Sequence, residues 1–107
     1  MFFTFPDDFK EKEITSGITL KAVWGKRIML SYVTFQANSA IPVHSHPHEQ
    51  TSQVLEGEVE ITINGEKRLC QKGDAFTIPS DAEHSAATTD KSAIVLDAFN
   101  PPRQDYM

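Results

Sequence analysis

Cysteine is almost missing from this 107-residue chain, in which Cys70 is the sole thiol. That excludes an internal disulfide and fits a reducing compartment, so a cytoplasmic location is expected. Between Leu69 and Gln71, the thiol reads as a small buried hydrophobe rather than a nucleophile. Long apolar runs are missing as well, and no segment reads as a membrane span. The opening Met1-Phe2-Phe3-Thr4-Phe5-Pro6 has neither the basic lead nor the extended apolar stretch of a secretory signal, so none is expected. Positive charge is in deficit: ten Lys and Arg face fifteen Asp and Glu, for a formal net charge of −5. Nucleic acid and anionic membranes reward clustered Lys and Arg, so neither is expected as a partner. With no repeat and no linker composition, this length predicts one domain over 1–107 with a modest core.

A sustained helical period with caps at both ends is absent too. Residues 7 to 13 (Asp-Asp-Phe-Lys-Glu-Lys-Glu) admit either a short helical turn or a solvated charged loop. What is present is a succession of turn signals, among them Trp24-Gly25, Asn38-Ser39, Glu56-Gly57, Asn64-Gly65, Lys72-Gly73 and Pro79-Ser80-Asp81. Between them lie short segments rich in β-branched and aromatic residues. In Glu58 to Ile63 the residues alternate, which predicts that Val59, Ile61 and Ile63 face the core, and Asn64-Gly65 supplies the positive φ angles of a type I′ hairpin. Arg27 to Phe35, Gln50 to Leu55 and Ser92 to Phe99 read as further strands. The pattern predicts an all-β, antiparallel sandwich or barrel.

Three of the four histidines fall in one short run, His44-Ser45-His46-Pro47-His48-Glu49-Gln50. On a strand bracketed by Pro42 and Pro47, His44 and His46 would share a face. Pro47-His48-Glu49 would form the turn, and Gln50 would open the next strand facing the same interior. Ser52 would follow it inward, small enough to leave space beside an ion. A second hairpin, Phe76 to His84, would return His84 to the same lumen. Three imidazoles and one amide oxygen suit a single divalent transition metal such as Mn, Fe, Ni, Zn or Cu. Four protein ligands leave positions open for water or substrate, as catalysis requires. His48 falls in the turn and is assigned an exposed or supporting role rather than ligation.

Near the C-terminus, Asp97 interrupts an apolar strand whose other face carries Ile94, Leu96 and Ala98. Such a carboxylate is costly to bury without a partner or a task. Facing the lumen, it would move protons to and from a substrate, with Phe99 as an apolar wall. Arg103, after the rigid Pro101-Pro102 corner, could fold over the mouth and grip a carboxylate in bidentate fashion. On the residues alone a structural pairing of Asp97 with Arg103, Lys21 or Arg27 stands equally open, as does a solvated Arg103.

The stretch from His44 to Gly57 resembles the first cupin motif, His-x-His-x3-Glu/Gln-x6-Gly, with Gln50 at the usual acidic position. The stretch Gly73-x5-Pro79-x-Asp81-x2-His84 resembles the second. Asn38 and Asp81 stand where glycine is usual, and both residue types tolerate left-handed backbone. The resemblance implies a jelly-roll barrel, or double-stranded β-helix, of six to eight strands. The whole chain, through Met1-Phe2-Phe3, Trp24-Gly25, the histidine run and Asp97-x-Phe99-x-Pro101-x-Arg103-x-Asp105, is similar to the small pectin-degradation cupins of the KdgF type. That likeness implies a metal held by His44, His46, Gln50 and His84, an acid/base at Asp97, and substrate contacts from Phe99 and Arg103. It implies conversion of cyclic 4,5-unsaturated monouronates, small anionic sugars, into linear keto sugars.

Two other readings stand beside this one: a different small metallo-cupin enzyme (a dioxygenase or sugar isomerase), and a non-catalytic cupin that binds a sugar or small acid. A homodimer is expected, because Phe2-Phe3-Thr4-Phe5 would leave an apolar patch on a monomer.

Overall fold

A computed structural model describes residues 1–107. Ten strands follow in chain order: β1 (Lys10–Thr15), β2 (Ile18–Trp24), β3 (Met29–Phe35), β4 (Ala40–His44), β5 (Glu49–Glu56), β6 (Glu58–Ile63), β7 (Glu66–Gln71), β8 (Ala75–Ile78), β9 (His84–Ala87) and β10 (Ala93–Asn100). A single turn of 3-10 helix, Gln104–Tyr106, closes the chain. The strands form two antiparallel sheets, one in the order β1-β2-β3-β10-β5-β8 and the other β4-β9-β6-β7. The fold is all-β, as the alternation and turn spacing predict.

The strand number exceeds the expected six to eight, and β1 is the main reason. Lys10 to Glu13, read from sequence as helical turn or loop, pairs in register with Thr19 to Ala22 of β2. An edge strand needs ladder bonds on one side only and no strong apolar face, so a charged segment can serve. Cross-strand charge supports it, with Lys21 Nζ 3.8 Å from Glu11 Oε1. Farther on, β3 opens at Met29, two residues later than expected.

Inward residues of neighbouring strands stack in rungs, because side chains directly opposite in a ladder share a face. One rung is apolar: Val54, Val95, Val33 and Leu20, from β5, β10, β3 and β2. Together with Ile18, Phe35, Val59 and Ile61 it forms the buried core. The next rung is polar, with Ser52, Asp97 and Ser31 side by side. Beyond it lie Gln50, Phe99 and Met29. Cys70 joins the core as a buried residue whose thiol is pushed up by burial, as expected of an inert hydrophobe.

The turns behave as their residues dictate. Asn38, Asn64 and Asp81 all take left-handed backbone, with φ of 57°, 49° and 66°. At the tip between β5 and β6, Gly57 has φ 73°. A Cβ there would meet the Ser92 carbonyl oxygen at 2.1 Å. Gly65 has φ 82° but open space around it. Gly57→Ala should therefore cost about 3 kcal/mol, from strain plus overpacking, against about 1 kcal/mol for Gly65→Ala. Urea unfolding of both variants checks this, and equal losses would mean that the approach to Ser92 has no energetic weight.

Candidate metal centre

His44 ends β4 and His84 begins β9, and the two are direct partners across that ladder. Their rings lie 4.1 Å apart between centroids. His46 does not share a strand with His44, contrary to the period-two expectation, because β4 stops at His44 after a register break. His46 is placed instead by its loop. Asp81 N–H donates to the His46 carbonyl at 2.8 Å, and the Ser80 hydroxyl donates to the Pro47 carbonyl at 2.5 Å. These bonds tie the loop after β4 to the loop before β9. Gln50 comes from the opposite sheet, on β5. The ligand atoms of His44, His46 and His84 all lie within 4.8 Å of one another.

The backbone fixes the tautomers. Each of the three rings turns Nδ1 to a carbonyl oxygen: His44 to Pro42 at 2.9 Å, His46 to His48 at 3.0 Å, His84 to Ala82 at 2.8 Å. A carbonyl only accepts, so Nδ1 carries the proton in the neutral ring and Nε2 keeps a bare lone pair. His48 thus serves His46 through its main chain, while its own ring is not among those whose ligand atoms converge.

The Gln50 amide is oriented as well. Its Nε2 donates to Ser52 Oγ at 3.0 Å, which leaves Oε1 facing His46 Nε2 at 3.1 Å. Two lone pairs at that separation repel unless a cation lies between them. The edge of an octahedron with metal–nitrogen bonds of about 2.1 Å is itself about 3 Å. The donor set fits a divalent transition ion, with neutral nitrogen and amide ligands and an outer shell of backbone carbonyls.

Ser52 has a role beyond the expected one. It is 2% exposed and bridges, accepting from Gln50 and donating to Asp97 Oδ1 at 2.5 Å. Asp97 faces the lumen and forms no ion pair with Arg103, Lys21 or Arg27. Lys21 pairs with Glu11, and Arg103 with Asp105. On Asp97's other side is Ser31, fully buried, its hydroxyl without a partner.

Arg103 does fold back. Its guanidinium lies 5.2 Å from the Phe99 ring centroid and 4.0 Å from that of Tyr106. Nε and one Nη donate to the two carboxylate oxygens of Asp105 at 3.2 and 2.8 Å. Lys12 donates to the Asp105 carbonyl, fastening the C-terminal turn to β1. Tyr106 and Asp105 were not singled out for a role from sequence. The spacing of Tyr106 three residues after Arg103 is the one signal that a helical turn would stack them. His44, Gln50, His84, Asp97, Phe99 and Arg103 all line one cavity of about 50 Å³.

Burial governs the titrations. It drives His84 down to about 4, despite the Ala82 carbonyl, with the neighbouring His44 and His46 adding to the fall. His46 is lowered by burial and then by the Arg103 charge. Asp97 is raised to about 6 by burial, against hydrogen bonds from Ser52 and Gln50 and the charge of Arg103. Tyr106 is pushed up to about 12 by burial. In Asp105 burial acts upward, but the Arg103 hydrogen bonds and charge outweigh it and hold the carboxyl low. A lowered imidazole stays neutral, and so able to ligate, as pH falls past its ordinary value. At pH 5.5, three ordinary imidazoles would release close to three protons on binding an ion. Here the number should fall by about one for His84 alone, which is already neutral at that pH. Calorimetry of Zn²⁺ binding in buffers of different ionisation enthalpy measures it, and a value near three would contradict the depressed rings.

The sequence pattern of the cupin domain matches residues 31–99, the span from β3 through Phe99 that holds all four facing groups and Asp97. Over 103 residues the chain is 29% identical to the pectin degradation protein KdgF of Dickeya dadantii (strain 3937), covering 94% of each. Among solved structures, KdgF from a Halomonas species superposes with a TM-score of 0.90 at 29% identity, over 100% of this chain and 99% of that one. An RmlC-like cupin from Shewanella frigidimarina NCIMB 400 does so with a TM-score of 0.90 at 27% identity, over 100% and 96%. Two antiparallel sheets, a histidine triad at their junction and a pattern match across most of the strands agree: the chain belongs to the cupin family.

Proposed function

We propose that this protein is a KdgF-like metalloenzyme that opens cyclic 4,5-unsaturated monouronates and tautomerises them to linear keto sugars. The observation that carries the reading is the joining of Asp97 to the ligand cluster through Ser52 and Gln50, with Arg103 on the same cavity. A divalent ion held by His44, His46, Gln50 and His84 would supply Lewis acidity toward a substrate oxygen.

The protein's own part is proton movement and orientation. Ring opening breaks the bond between the anomeric carbon and the ring oxygen while the anomeric hydroxyl gives up its proton. The released enol then tautomerises by gaining a proton on carbon and losing one from oxygen. The sum is an isomerisation that needs no oxidant or reductant. Asp97 is the group in the cavity suited to both transfers, because a carboxyl raised to about 6 exchanges protons readily near neutral pH. Phe99, 1% exposed, walls the cavity beside it and keeps water from the transfer. Asp105 engages Nε and one Nη of Arg103, so the remaining N–H groups stay available for a substrate carboxylate. A guanidinium packed against two aromatic rings and held by Asp105 has a restricted orientation, which favours a fixed orientation of that carboxylate.

The direct experiment mixes metal-loaded protein with freshly generated unsaturated galacturonate or mannuronate and follows the loss of alkene absorbance in the ultraviolet. Acceleration over the spontaneous rate supports the reading; none with any of Mn, Fe, Ni, Zn or Cu sinks it. Asp97→Ala should lower turnover about 10²- to 10⁴-fold while still binding the ion. A non-catalytic binder would keep its ligand affinity in that variant. Arg103→Lys keeps the charge but loses the planar fork, so KM should rise with a smaller change in kcat. Steady-state kinetics at saturating metal separate the two effects.

A further inference from the structure

We propose that Ser52 is a positioning residue whose one hydroxyl sets both the Gln50 amide and the Asp97 carboxylate, so that metal hold and proton transfer are coupled. This rests on the reading of Gln50 as a ligand and of Asp97 as the acid/base. A hydroxyl offers one proton and two lone pairs. Here it accepts from Gln50 Nε2 and donates to Asp97 Oδ1.

Both halves have geometric consequences. Because Nε2 is engaged by Ser52, the amide presents oxygen to the histidine cluster. Without that acceptor only the Asp97 carboxylate is left to hold the amide N–H, and the amide can turn its NH₂ inward, where a donor cannot ligate a cation and would seize a histidine lone pair instead. The same loss removes the shorter of the bonds that hold Asp97. The strands enforce the arrangement, since Ser52 and Asp97 are direct partners in the β5–β10 ladder and Gln50 lies one rung away on the same face. At 2% exposure Ser52 borders no bulk water that could replace it, and the void left by one oxygen is too small to hold a water molecule.

The test is a double-mutant cycle read by calorimetry with Zn²⁺ and Mn²⁺, on the wild type, Ser52→Ala, Gln50→Ala and the double variant. Groups that orient ligands are worth about 10- to 100-fold in metal affinity, and Ser52→Ala should lose that much. Because Ser52 acts through Gln50, the double variant should bind within about threefold of Gln50→Ala alone. An Ser52→Ala affinity within twofold of the wild type, or losses that simply multiply in the double variant, would overturn the ligand half. For the other half, Ser52→Ala saturated with metal should lose at least about tenfold in kcat with KM changed less than threefold; an unchanged kcat would overturn it. If the wild type binds metal but leaves unsaturated uronates untouched, the proposed reaction fails while the affinity cycle still judges Ser52.

Discussion

Everything at this centre depends on the cost of placing polar side chains inside an apolar lumen. His46, Gln50, Ser52 and His84 are each less than a tenth exposed, and a buried polar group without a partner costs on the order of 1–3 kcal/mol. The fold meets that cost almost atom by atom: imidazole Nδ1–H groups go to main-chain carbonyls, the amide N–H to a hydroxyl, and the hydroxyl to a carboxylate. Within the ligand set, the atoms those bonds leave free are the Nε2 lone pairs and Gln50 Oε1, and they converge; beside them Ser31 Oγ and His48 Nδ1 stay buried without a partner. The site is therefore pre-organised by the same bonds that make its burial tolerable.

A second consequence follows from where those groups sit in the topology. His44 and His84 belong to the four-stranded sheet, whereas Gln50 and Asp97 belong to the six-stranded one. An ion shared by these ligands would link sheets that are otherwise held by apolar packing, so metal binding is coupled to folding free energy. The polar rung of Ser52, Asp97 and Ser31 is the place where that packing is interrupted. It lies directly beside the valine rung, which keeps the lumen dry around the carboxylate and explains why burial dominates its titration.

Much of this was legible in the sequence, and the parts that were not share a physical cause. Alternation in β6 and the Asn64-Gly65 turn announced an antiparallel sheet, since each depends on a few adjacent residues. The convergence of His44, His46 and His84, with Gln50 beside them, was visible through spacing, yet the reason offered for His44 and His46 was wrong. They meet through a loop pinned by Asp81 and Ser80, and no strand period reveals a bond between loops so distant in sequence. Ser52 shows the same limit: its inward direction followed from parity, but its bridge depends on Asp97 forty-five positions away. The charged β1 escaped because an edge strand is specified by its neighbour's unpaired groups more than by its own pattern. Arg103 lines the cavity, and its packing on Tyr106 and its pair with Asp105 required the 3-10 turn.

The sign of the surface charge is a weak guide to what such a lumen accepts. The chain carries a net −5, which by itself would repel an anionic sugar, but salt screens exposed charges beyond about 10 Å. Inside the cavity the nearby fixed charges are Arg103 and Asp97, and the neutral histidine and glutamine set would leave a bound cation's charge uncancelled. Arg103 is only 12% exposed and stacked on aromatic rings, so its field is screened far less than that of the surface carboxylates. Asp105 already offsets Arg103, so it is the charge of a bound cation that would make the lumen net positive while the exterior is net negative. An acidic protein can in this way admit an anion: the outside governs solubility, and the inside governs which ion is accepted.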